Sequence, residues 1–267
     1  MERTLIKDAL KGKGKVVVKG WVSDSRDLSK IRFLVLRDVS GVIQITGING
    51  KTKDAVFKLM DNLSRESVIE VEGELKDSKQ APGGKEILPS KINVISVADK
   101  LPIDVSERSN TELPKRLDTR FLDTRRRKVQ AIFKVRSSIY NAVVNFFAGQ
   151  GFTIINTPKI TTIGLESGAE SFVVNYFKEK AVLAQSPQFY KQMFVMGGFE
   201  RVMEIGPVYR AEKSHTTRHL TEFIGVDFEM GFIKDENDVM DVIENMMMFI
   251  TENVKKERGE ELKLLEV

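Results

Sequence analysis

The feature that most constrains this chain is a change of hydrophobic period near residue 127. Before it, residues 15–23 (KVVVKGWVS), 31–38 (IRFLVLRD) and 42–48 (VIQITGI) are β-branched and aromatic runs divided by Asp, Ser and Gly clusters. They predict three strands. TKDAVFKLMDNL then sets Ala55, Val56, Leu59, Met60 and Leu63 at helical spacing, and VIEVEGELKD and EILPSKINVISV return to strand character. After it, residues 127–148 place Ile132, Val135, Ile139, Val143 and Phe146 on one helical stripe, stopped by Gly149 and Gly151.

Three strands, a helix and two strands is the order of an OB-fold barrel, an architecture that commonly binds oligonucleotides, although other small barrels share it. In the second half, FTIINTP, AVLAQSP, RVMEIGPVYRAE and TEFIGVDFEMGF read as strands, with a helix over 187–196 and another from the acidic DEND segment through Val254. Val239, Ile243, Met246, Met247 and Ile250 point inward in that reading, the methionines as core filling. Strands bracketed by long helices predict an α+β domain. The polar stretch from Ala98 to Thr124, with Pro102 and Pro114, reads as a linker of limited regular structure. The expected layout is a barrel over 1–100, a hinge over 101–126 and an α+β domain over 127–267.

With 267 residues, two domains are the natural division. Cys is absent, which excludes disulfides and thiolate metal sites. The N-terminus lacks a signal-peptide core and no run approaches the roughly 18 apolar residues of a membrane span, so a cytoplasmic protein with no membrane partner is expected. Between Lys115 and Arg136 nine basic residues face two acidic ones, Asp118 and Asp123. Such a cluster suits a polyanion or phosphate-bearing partner; the competing reading is a solvated linker and first helical turn.

Two motifs fail on inspection. Gly50, Lys51 and Thr52 resemble the end of a phosphate loop, but the pattern needs Gly where Ile45 stands. His215 and His219 are four apart, as zinc ligands on a helix are, yet HTTRH is Thr-rich, lacks a preceding helical pattern and places an Arg beside the supposed metal. No metal site is expected within this chain.

The stretch GPVYRAEKSHTTRHLTEFIGVDFEM, residues 206–230, is the most specific. It closely resembles motif 2 of the class II aminoacyl-tRNA synthetases, in the aspartate and asparagine branch. RLDTRFLDTR at 116–125 resembles the hinge of subclass IIb, and the helix through GFTIINTPKI resembles motif 1, whose strand ends at Pro158. ESGAESF at 166–172 resembles the loop that closes over the amino acid, QSPQFYKQ at 185–192 the substrate-pocket segment, and GWVSDSRDLSKIRFLVLRD the anticodon-binding barrel. The likeness spans essentially the whole chain and is to the aspartate enzymes of archaeal and eukaryotic-like type.

The resemblance implies ligation of L-aspartate to tRNA, with Asp acceptors alone or Asp and Asn acceptors both left open, with ATP and Mg2+, in a homodimer built on motif 1 with Pro158 at its interface. Arg210 becomes the residue that neutralises charge at the α-phosphate, a task suited to a fixed planar guanidinium. Glu212 accepts from the adenine amino group, Phe223 stacks on the base, and Arg218 with His219 approaches the distal phosphates. Lys191 supplies the cation for a side-chain carboxylate, Ser186 and Gln188 orient the substrate, and Glu166 holds its ammonium. GVDFEM, with Asp227, is more like the aspartate than the asparagine enzymes. In the barrel, Phe33, Gln44 and Glu86 match anticodon contacts, though alternation through Ile31, Phe33 and Val35 leaves barrel core open for Phe33.

A third, Gly-rich motif with a γ-phosphate Arg has no counterpart in the sequence, so an incomplete ATP site and an unfinished sheet with an association-prone edge are expected, and this chain alone is expected to be inactive. The competing readings are an asparaginyl-tRNA synthetase and a non-catalytic tRNA-binding fragment.

Overall fold

A computed structural model describes residues 2–162, 170–213, 216 and 219–267. The expectations on Glu166 and Arg218, and the discarded one on His215, lie outside the described residues. The chain divides into two compact units, Met1–Arg126 and Arg127–Val267.

In the first unit a short helix α1 (Ile6–Ala9) precedes β1 (Gly14–Asp27), β2 (Ile31–Arg37), β3 (Val42–Ile48), α2 (Asp54–Asp61), β4 (Val68–Asp77) and β5 (Lys85–Ser96). The five strands close into a barrel in the order β1-β2-β3-β5-β4, with β3 and β5 parallel. Closure needs strands to coil tightly where they cross. Gly73 sits at a register shift between β4 and β5, and a Cβ there would stand 2.3 Å from the Leu88 carbonyl oxygen. Alternation sends Val18, Val22, Leu34, Leu36, Ile43, Ile45, Ile69, Val71 and Ile87 into a dry core, capped by Val56 and Met60 of α2.

The stretch expected to be a largely irregular linker is instead part of this unit. It carries α3 (Leu113–Asp118) and α4 (Arg120–Asp123), and buries Ile103 and Leu122. Asp123, with a fully buried side chain, is held by Arg116 Nε at 2.7 Å, by Arg120, and by Arg126 at 3.8 Å. Burial alone would raise the Asp123 carboxyl; the hydrogen bond from Arg116 and the charges of Arg116, Arg120 and Arg126 together outweigh it and hold it below the usual carboxylate range. Glu66 is likewise clasped by Arg37 at 2.9 Å and Arg125 at 2.8 Å. Much of the basic cluster is therefore engaged internally.

The second unit begins with α5 (Arg127–Gly149) and β6 (Thr153–Ile154), then β7 (Ile160–Thr161), β8 (Val173–Tyr176), β9 (Glu179–Leu183), α6 (Gln188–Phe194), β10 (Arg201–Tyr209), β11 (Glu222–Met230) and α7 (Glu236–Leu265). One sheet has the order β11-β10-β6 and the other β7-β9-β8. A backbone bond joins them, Tyr209 N–H donating to the Ala184 carbonyl at 2.9 Å, while Ile155 to Met203 and Ala184 to Lys159, at 2.9 and 3.0 Å, extend the pairing within each sheet. FTIINTP forms only a two-residue strand, and β7 and β8 had no sequence signal.

Helices α5 and α7 run antiparallel, with Lys134 meeting Glu261 at 3.3 Å and Ser138 donating to Glu257 at 2.9 Å. They cover one face of the β10–β11 sheet, where Phe147 lies 4.9 Å from Phe152 and 5.2 Å from Phe228, ring centre to ring centre. The expected stripe on α5 is rotated. Val143 and Phe146 are buried, but Ser138, Ala142 and Phe147 complete the packed face, while Ile132 and Ile139 are exposed. On α7, Val242, Met246, Phe249 and Ile250 pack inward and Ile243 and Met247 face out. Small residues let the two helices approach closely, so bulk does not mark the contact side.

Candidate functional site

Strand alternation gives the β10–β11 sheet a second face, turned away from α5 and α7 and met at one end by α6. Glu204, Gly206 and Val208 stand there in register with Asp227, Gly225 and Phe223, and Arg210 follows at the strand end with its N–H donating to Thr221 at 3.0 Å. Two facing glycines leave bare backbone in the middle of this surface. Above it lies a cavity of about 220 Å³, with Ser186, Gln188, Lys159 and Arg210 on its walls. A second cavity of about 270 Å³ is lined by Arg210, Glu212, His219, Leu220 and Phe223, so Arg210 and Phe223 form the wall common to both.

The Arg210 guanidinium carbon is 5.8 Å from the Phe223 ring centre, close enough for a cation–π contact. A fixed positive fork and an aromatic face side by side suit a phosphate joined to a planar base. Phe223 is half-buried and lines both cavities, so it is not ordinary core. His219 is exposed, and its Nδ1 shares a hydrogen bond with the Thr216 hydroxyl.

Lys191 projects from the middle of α6 and is only 3% exposed. Its ammonium is bound by Asp227, by Glu229 Oε2 at 3.2 Å and by the Phe228 carbonyl at 3.0 Å. A buried ammonium is tolerated only with such partners. Gln188 Nε2 donates to Glu229 at 3.2 Å, and the buried Ser186 Oγ accepts the Gln188 N–H at 3.0 Å, so the first turn of α6 is fixed from both ends. Asp227 and Glu229 were missed as site residues; their two-residue spacing from Phe223 and Gly225 along one strand was the available signal. Glu204 and Lys159 were missed as well, because their partners lie far apart in sequence.

Pro158 is exposed between Thr157 and Lys159, both of which bind Glu204. Among the described residues no group of three or more His, Asp or Glu side chains is arranged to hold a metal ion.

In the barrel unit, Phe33, Val35, Gln44, Thr46 and Glu86 alternate with the core residues and share one outer face of β2, β3 and β5. Phe33 is half-buried, and Leu34 and Leu36 of the same strand take the core positions, so Phe33 lies outside the barrel core. Glu86 Oε2 accepts from Gln44 Nε2 at 2.9 Å and from the Thr46 hydroxyl at 2.6 Å. This network leaves Glu86 Oε1 and the Gln44 carbonyl as acceptors beside an aromatic ring.

Comparison with known proteins places both units. A family model described as tRNA synthetases class II (D, K and N) matches residues 112–266, and one described as OB-fold nucleic acid binding domain matches residues 16–95. The chain belongs to the class II tRNA synthetases. It is 45% identical over 263 residues to the aspartate–tRNA(Asp/Asn) ligase of Archaeoglobus fulgidus, covering 98% of this chain and 61% of that protein. It is also 45% identical over 262 residues to the aspartate–tRNA(Asp) ligase of Pyrococcus abyssi, covering 98% and 60%. The chain thus spans about three fifths of the curated relatives it matches.

Among solved structures, the asparaginyl-tRNA synthetase of Pyrococcus horikoshii complexed with asparaginyl-adenylate superposes with a TM-score of 0.92 at 31% identity, covering 99% of this chain and 61% of that one. The aspartyl tRNA synthetase of Entamoeba histolytica gives 0.85 at 29% identity, covering 99% and 57%. The expected α+β reading, a barrel followed by a class II synthetase domain, is what the fold and these matches show.

Proposed function

We propose that this chain carries the aspartate-activating pocket and the anticodon-reading barrel of an aspartate–tRNA ligase. The observation that carries the reading is the pair of cavities sharing Arg210 and Phe223, with the buried Lys191 ammonium beside the first of them. In this reading the first cavity takes L-aspartate and the second takes the adenosine of ATP. Arg210 sits at their junction, where the amino-acid carboxylate attacks the α-phosphate and pyrophosphate leaves, and its charge offsets the negative charge that grows there.

Glu212 accepts from the adenine amino group, Phe223 stacks on the ring, and His219 with Arg218 approaches the distal phosphates. Lys191 meets the side-chain carboxylate by exchanging one of its bonds to Asp227 or Glu229 for one to the substrate, a match for aspartate rather than for the neutral amide of asparagine. Ser186 and Gln188 orient the amino acid, and Glu166 takes its ammonium. The acids nearest the pocket, Glu204, Asp227 and Glu229, are each held by a lysine, so the described residues do not fit a Mg2+ site, and no step is routed through the ion.

On the barrel, Phe33 offers a stacking face to an unstacked anticodon base, while Gln44 and Glu86 read its edge. On α5, exposed Ile132, Ile139 and Tyr140, together with Pro158, are proposed to meet a second copy in a homodimer. A cytoplasmic setting follows from the proposed substrates, and no helix among the described residues is long and apolar enough to cross a membrane. The test is ATP–pyrophosphate exchange by the longest natural form of the protein, with and without Arg210→Ala. Exchange that depends on aspartate and falls about 100-fold or more in the variant supports the reading; exchange with asparagine alone contradicts it.

A further inference from the structure

The wall of the first cavity carries a lysine of its own, besides the buried Lys191 that is bound to Asp227. Lys159 follows the exposed Pro158, and its ammonium lies 3.0 Å from Glu204 Oε1 and 3.0 Å from Thr157 Oγ1. The Thr157 hydroxyl donates onward to Glu204 Oε2 at 2.7 Å, and the Thr157 N–H donates to Oε1 at 2.9 Å. Glu204 is 2% exposed, and both its oxygens are satisfied by this closed ring of bonds. An ammonium carries three donors, and the ring engages two of them. The Lys159 side chain remains 21% exposed and lines the cavity.

Glycine at 206 makes the arrangement possible. A Cβ there would stand 3.0 Å from Glu204 Oε1 and 3.2 Å from Lys159 Nζ, so the ammonium hangs over the bare strand. That places it at the Asp227 end of the surface, since Glu204 pairs with Asp227 and Gly206 with Gly225. Arg210 is four positions further along, on the order of 13 Å away at strand spacing. The ammonium is therefore on the Lys191 side of the cavity, away from the wall shared with the second one.

We infer that Lys159 is a further amino-acid-binding residue of this site, donating its remaining N–H to a carboxylate of the substrate, and that Glu204 with Thr157 is the positioning group that holds it there. The inference rests on the adenylation reading above. Because Thr157 and Lys159 flank Pro158, the same ring fixes the backbone that carries this proline.

Calorimetric titration of the longest natural form of the protein with an aspartyl sulfamoyl-adenosine, and separately with ATP, tests it. Lys159→Met should weaken the aspartyl compound about 10-fold or more and leave ATP affinity unchanged, as expected for one lost charged hydrogen bond. Thr157→Val should weaken the same ligand selectively, and Thr157→Ser should restore it. If Lys159→Met melts early, the Thr157→Val and Thr157→Ser pair, which retains the ammonium, carries the test. Equal affinity of wild type and variants overturns the inference while sparing the adenylation reading, and so does an equal loss for both ligands. No binding of either ligand by wild type overturns that reading and the inference with it.

Discussion

The two units each contain a buried charge cluster, and the two are built in opposite senses. In the first, one carboxylate, Asp123, sits among three arginines; in the second, one ammonium, Lys191, sits among two carboxylates and a carbonyl. The Asp123 side chain is fully buried and its partners come from the same short stretch of chain, so this cluster folds α3 and α4 upon themselves. Asp227 and Glu229 keep 35% and 26% of their side-chain surface, and a cavity opens beside them. A closed cluster locks structure, whereas one left open to a cavity keeps its charges within reach of a ligand.

Removing the central charge should separate the two cases most sharply. Asp123→Ala leaves three arginines crowded without their anion, and should destabilise the first unit by about 3 to 5 kcal/mol in urea denaturation. Lys191→Met should cost less stability, since Asp227 and Glu229 can turn to water, yet weaken an aspartyl-adenylate analogue by more than about 10-fold in calorimetric titration. A large stability loss in the second and a small one in the first would reverse the comparison.

The barrel face provides a third term, polar groups beside an aromatic ring with no buried charge cluster. Phe33→Ala should weaken binding of cognate tRNA by about 1 to 3 kcal/mol in a filter-binding or fluorescence titration and leave ATP–pyrophosphate exchange unaltered. An unchanged tRNA affinity would remove Phe33 from the proposed anticodon site.

The smallest expected effect is on acid sensitivity. The folded Asp123 carboxyl titrates below its ordinary value of 3.8, so its ion pairs contribute fully above that value, and the contribution is lost as pH falls through the lower folded value. Wild type should therefore lose melting temperature below about pH 4 more steeply than Asp123→Asn. Parallel curves would show that Asp123 is not the group that couples acid to unfolding.

How much of this was legible in the sequence follows from the range of each interaction. The barrel strands could be read because alternation and turn residues are local; Arg210 and Phe223, which line the cavities, and Lys191, which is bound to Asp227, were singled out because they fall within recognisable blocks. Local pattern failed where packing is set from outside. Ile132 and Ile139 have the bulk of core residues, but α7 meets the side of α5 that carries Ser138 and Ala142. The bond from Thr157 to Glu204 spans 47 positions, and neither residue signals the other. The arginines at 116, 120 and 126 read as a surface for a polyanion because nothing local shows that they converge on Asp123.

The central claim is that the cavity between Arg210 and Lys191 is shaped and charged for an aspartyl adenylate. Paired titrations of the longest natural form of the protein with aspartyl and asparaginyl sulfamoyl-adenosines address it most directly. The account predicts tighter binding of the aspartyl compound, with the preference lost in Lys191→Met. Tighter binding of the asparaginyl compound, or a preference that survives in Lys191→Met, would contradict it.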